Sequence, residues 1–82
     1  MQKATSPNVL GQLLKSARNE KGLNQQQAGK LVGITQAMVS RIETGVSNAR
    51  IDTLFRLLAA LGMEMIVKPR DMSSNLNEGD NW

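Results

Sequence analysis

Apolar residues recur along the chain in four bursts, each closed by a glycine at position 22, 33, 45 or 62. In the first, Leu10, Leu13, Leu14 and Ala17 complete the i, i+3, i+4, i+7 pattern of a helix buried along one face. The spacing predicts a helix from Asn8 to Lys21, with Ser6 as N-cap ahead of Pro7. A second, shorter helix is expected after Asn24, presenting Ala28, Leu31 and Val32, and a third after Thr35, turning Val39 and Ile42 inward before Gly45. The fourth begins near Asn48 and is the most apolar, with Ile51, Leu54, Phe55, Leu58 and Leu61 as its expected inner stripe. Glycine just past a helix end takes the left-handed conformation at no steric cost, which is why the four glycines read as stops.

The pattern changes in "GMEMIVKPRD", residues 62–71, where apolar and charged side chains alternate with the period of a strand. Met63, Met65 and Val67 fall on one face and Glu64, Ile66 and Lys68 on the other, and Pro69 ends the run because it has no N–H to donate. A single strand has no partner within such a chain. The polar stretch after it is expected to be disordered on its own. The predicted organisation is a folded unit over residues 1–69 and a flexible tail over residues 70–82.

Composition narrows the function. Eighty-two residues make one domain, and the chain contains neither cysteine nor histidine. Disulfides, thiolate metal sites and the commonest general base are therefore absent from the sequence, and no metal, cofactor or catalytic activity is expected. No apolar run approaches a membrane span, and the opening MQKATSP lacks the apolar stretch of a signal peptide, so a cytoplasmic protein is expected, associated with the nucleoid when bound to DNA. Residues 1–50 carry seven Lys/Arg against two Glu, whereas residues 51–82 carry three against five acids. A basic front half suggests a polyanionic partner, with a plain solvated surface as the alternative.

The most informative stretch is "QQQAGKLVGITQAMVSRIET", residues 25–44. Two short helices joined by a tight turn cross closely only if a small residue sits at the crossing and the turn holds a residue tolerant of positive φ. Gly29 meets the first requirement and Gly33 the second, while Ala28, Val32, Ile34, Val39 and Ile42 fall at core spacing. With "DTLFRLLAALGM" following, residues 8–62 resemble the Cro/C1 (Xre) family of helix-turn-helix DNA-binding domains. The resemblance implies an all-α, lambda-repressor-like fold of four helices, extended here by the short strand. Ala28 stands where the family usually has leucine and Gly29 where it usually has alanine. Gly29 is expected to cost about 1 kcal/mol of helix propensity.

In that family the helix after the turn lies in the major groove with its N-terminal residues at the base edges. Carried onto this chain, the resemblance places Thr35, Gln36, Ala37, Ser40 and Arg41 at the bases of double-stranded DNA. Glutamine can pair with adenine N6 and N7, alanine can touch a thymine methyl, and arginine can read guanine or hold a phosphate. For Gln36 the alternative is a polar helix start that meets only water. Gln25, Thr44, Ser47, Asn48 and Arg50 are the candidate phosphate contacts. Lys15 and Lys30 read as solvated helix faces that add only long-range field. Arg18 and Glu43 match positions that pair with each other in the family, and both are taken as structural.

Such domains bind as symmetric dimers, and pairing of the residue 63–68 strand with its two-fold copy would make one. Met63, Met65, Ile66 and Val67 are the dimerisation candidates, the alternative being an irregular apolar segment packed on its own core. A strand after the fourth helix, followed by a polar tail ending in "EGDNW", is similar to HipB-type antitoxins of HipBA toxin–antitoxin modules. That second resemblance implies a homodimeric repressor of its own operon whose other partner is a HipA-like serine/threonine kinase toxin. A stand-alone repressor without a toxin and a pure protein-interaction module are the competing readings. Trp82 is a candidate partner-binding or degradation residue, set against an unstructured chain end.

Overall fold

The computed structural model describes residues 3–45 and 49–70, and within them the chain forms four helices: α1 (Pro7–Glu20), α2 (Gln25–Val32), α3 (Gln36–Thr44) and α4 (Ile51–Ala60). Local chemistry sets their ends. Ser6 Oγ accepts from the Val9 N–H at 3.2 Å to start α1. Asn24 and Gln27 form a reciprocal capping box at α2, with Gln27 N donating to Asn24 Oδ1 at 2.7 Å and Asn24 N to Gln27 Oε1 at 2.8 Å. Thr35 caps α3 by accepting from Met38 N at 3.1 Å. All four punctuating glycines have positive φ, between 71° and 79°. The fourth helix starts later than the pattern near Asn48 suggested: Arg50 is its extended N-cap residue, and Asp52 supplies acid to the first turn, where the helix dipole favours it.

α1 and α2 both pack on α3, and α2 also packs on α4. Leu14, Val32, Ile42, Leu57, Leu58 and Leu61 form the central cluster, with Ala28 and Val39 also fully enclosed. The inner stripe of α4 differs from the expected one. Thr53, Leu57 and Leu58 face inward, whereas Ile51 is 66% exposed and Phe55 49% exposed. Leu54, Leu57, Leu58 and Leu61 satisfy the helical template as well as the expected set did, so periodicity alone did not fix the rotation of a helix with two apolar faces. Leu31 is likewise on the outer side of α2 rather than in the core.

Two glycines allow the close crossings. A Cβ on Gly11 would lie 2.5 Å from the carbonyl oxygens of both Ile42 and Glu43, so α1 rides directly over the α3 backbone. A Cβ on Gly29 would lie 2.5 Å from Ile34 O. Gly29 is therefore a condition of this tight turn, whose Gly33 N–H and Ile34 N–H both return to Gly29 O, and its helix-propensity cost is set against that fit. Beyond α4, Met63 N donates to Leu58 O at 2.8 Å and the Met63 side chain packs on the core. Residues 63–70 form no strand within the single chain, and Met65, Ile66 and Val67 are exposed. No described helix is long and apolar enough to cross a membrane.

Candidate nucleic-acid interface

The α3 helix has two unlike sides. Val39, Ile42 and Glu43 are buried beneath it, while Gln36, Ala37, Arg41 and Thr44 are exposed and Ser40 is half-buried. Residues i, i+1, i+4, i+5 and i+8 share one helix face, so these five make a continuous outward row. An α-helix with its side chains is about 10–12 Å across, a cross-section that the roughly 12 Å wide major groove admits. Thr35 stands exposed at the head of the row; its Oγ1 accepts the capping bond and its O–H remains free to donate.

Beneath the row lies an ion pair. Arg18 Nε contacts Glu43 Oε2 at 2.6 Å and Nη2 contacts Oε1 at 3.0 Å, while Nη1 donates to Leu23 O at 2.8 Å. Both side chains are less than a tenth exposed. The hydrogen bond to Glu43 is the main influence raising Arg18 above the ordinary guanidinium value; burial opposes it and the Glu43 charge adds to it. A group whose folded pKa is raised gives up its stabilisation only as the pH climbs through that value, so Arg18 stays charged below the guanidinium range.

The pair also reaches the surface. Gln25 Nε2 donates to Glu43 Oε1 at 3.0 Å, and Gln36 Nε2 donates to Gln25 Oε1 at 3.4 Å. Gln25 and Gln36 are the first residues of α2 and α3, and with Arg18, Asn24 and Gln26 they line one open cleft between the two helix starts. The family resemblance implies Gln25 as a phosphate contact and Arg18–Glu43 as a structural pair; the link joining them to Gln36 is visible only in the structure. Its only sequence signal is that two glutamines open consecutive helices ahead of a carboxylate on α3.

Other candidates are placed less directly. Thr44 Oγ1 donates to Arg41 O at 3.0 Å, so its hydrogen points along the helix and must rotate to meet a phosphate. Arg50 is exposed and paired with Asp52 at 3.3 Å. Lys15 and Lys30 are exposed. Ser47, Asn48 and Trp82 lie outside the described residues.

A short capped helix with an open polar face, locked over the previous helix by a glycine turn, defines a helix-turn-helix DNA-binding regulator. The family model "Helix-turn-helix" (HTH_3) matches residues 14–66, and the chain belongs to that Cro/C1-type family. It is 34% identical over 64 residues to antitoxin HipB of Escherichia coli K12, covering 78% of this chain and 73% of HipB. An uncharacterized HTH-type transcriptional regulator of Haemophilus influenzae is 39% identical over 54 residues, a match spanning 66% of this chain and 55% of that protein. Among solved structures, the chain in a "HipB-O4 20mer complex" matches with TM-score 0.77 and 31% identity, covering 87% of this chain and all of that one. The chain in "Structure of HipA-HipB-O2-O3 complex" matches with TM-score 0.76 at the same identity and coverage.

Proposed function

We propose that this protein is a dimeric, sequence-specific transcriptional repressor that binds a palindromic operator and is also an antitoxin, binding and neutralising a HipA-like serine/threonine kinase toxin and repressing its own operon. The observation that carries the reading is the open face of α3, held over a buried ion pair in a chain that aligns with HipB over 78% of its length. In this reading Thr35, Gln36, Ala37, Ser40 and Arg41 meet base edges. Gln25, Thr44 and Arg50 meet phosphates that fix register. The protein acts by binding and needs no cofactor.

Dimerisation is supported by apolar surface left uncovered on the single chain. Ile51 and Phe55 stand one turn apart on the outer face of α4, and Met65, Ile66 and Val67 follow beyond it. Covering these against a second copy would remove a patch that a monomer would otherwise leave in water. The toxin partner is supported by the likeness to HipB, one of whose solved complexes names HipA.

The test is a pull-down from the native cell, analysed together for proteins and bound DNA. The expected result is one defined DNA site and a kinase-like protein. DNA without the kinase would make the chain a stand-alone repressor, and protein without DNA would make it an interaction module.

A further inference from the structure

We infer that Glu43 is a specificity-determining residue: acting through Gln25, its carboxylate fixes which end of the Gln36 amide faces the DNA, and so selects adenine over guanine at one base pair. The inference rests on the reading that Gln36 meets a base. An amide is ambiguous in which end donates, but a carboxylate only accepts. Gln25 therefore meets Glu43 Oε1 with its Nε2, as found at 3.0 Å. Arg18 holds that carboxylate in place through two donors, and both side chains are less than a tenth exposed, so the anchor does not turn.

The consequence passes outward. With Nε2 of Gln25 directed inward, its Oε1 is the atom that faces Gln36. An oxygen accepts, so Gln36 must answer with its own Nε2, and the two groups lie 3.4 Å apart. That leaves Gln36 Oε1 and the second Nε2 hydrogen for the exposed side. An acceptor beside a donor matches adenine, whose N6 donates and N7 accepts. Guanine presents two acceptors, O6 and N7, and meets the Gln36 oxygen with an oxygen. The carboxylate thus supplies a polarity that neither glutamine has alone.

Duplexes selected by the wild-type chain from a randomised pool locate the pair whose preference Gln36→Ala relaxes. All four base pairs are then compared at that position by competition binding. The wild type should prefer adenine over guanine by about ten-fold or more. Gln25→Met, which leaves the ion pair intact, should bring the two bases within about three-fold of each other, the polarity having been lost. Gln25→Lys presents only donors to both neighbours, so Gln36 should turn its oxygen inward and the preference should pass to guanine. Glu43→Gln, where it folds by thermal melt, should relax the preference as Gln25→Met does.

A merely structural role would lower affinity for all four duplexes alike and leave their ratio unchanged. A wild-type preference for guanine, an unchanged ratio in either Gln25 variant or in folded Glu43→Gln, or relaxation by methionine without reversal by lysine would each overturn the inference while leaving Gln36 as a base contact. If Gln36→Ala itself relaxes no position, the base-contact reading fails and takes the inference with it.

Discussion

Arg18 and Glu43, on helices far apart in sequence, meet through two hydrogen bonds of 2.6 and 3.0 Å with almost no access to water. The pair ties α1 to α3 from beneath, on the side opposite the outward row. Glu43→Ala would leave the guanidinium buried with its Leu23 carbonyl partner alone, and should destabilise the fold by about 3–5 kcal/mol in denaturant unfolding. The double variant Arg18→Met with Glu43→Leu should recover most of that loss, because apolar replacements leave no orphaned charge. Unchanged stability in Glu43→Ala would contradict the structural role.

Gly11→Ala tests the closeness of α1 to α3. Its new Cβ would fall 2.5 Å from two backbone oxygens of α3, which cannot swing aside as a side chain can. The crossing must open, at about 1–3 kcal/mol by analogy with overpacked cores. Gly22, unlike the helical Gly11, has positive φ, and an added Cβ there meets nothing within 4 Å, so Gly22→Ala carries only backbone strain. Comparing the two melts separates contact from conformation.

Gln36→Ala should cost about 1–3 kcal/mol at the cognate site and relax preference at one base pair, with little change on random DNA. Arg41→Ala discriminates its two roles. Loss at one base pair marks a base contact, whereas uniform loss with a salt slope shallower by about one unit marks a phosphate contact.

Phe55→Ser should weaken self-association and cost the monomer only about 1 kcal/mol of stability, since half of the ring is already exposed on the single chain. Sedimentation across a concentration series checks the first expectation and denaturant unfolding the second. Ending the chain at Gly62 removes Met65, Ile66 and Val67 and should give a monomer with weakened operator affinity. A truncated chain that stays dimeric with full affinity would reduce the residue 63–70 segment to a connection into the tail.

The helix count and the turn were legible because each element is bounded by residues with one local reason to be there. Ser6, Asn24 and Thr35 cap as their side-chain oxygens predict, and the glycines stop helices where only positive φ fits. The rotation of α4 was not legible. Its apolar residues cover two faces, one serving the core and one remaining free, and a one-dimensional pattern does not say which neighbour each face meets. The same limit hid Gly11, whose neighbours are carbonyls about thirty residues away in sequence. At the site, the candidate base contacts came with the family resemblance, and the structure leaves Thr35, Gln36, Ala37 and Arg41 exposed. The Gln25 link to Glu43 was not legible, because a hydrogen bond across two helices depends on their separation, and nothing in the order of residues records it.

The measurement that bears most directly on the whole account is selection of bound duplexes from a randomised DNA pool by the wild-type chain and by a Gln36→Ala, Arg41→Ala variant. The expected result for the wild type is an inverted repeat whose half-sites are centred about 34 Å, one helical turn, apart, as a two-fold dimer requires. The variant should recover no such sequence. Recovery of the same repeat by both proteins, or of no sequence by either, would contradict the assignment of the α3 face to DNA.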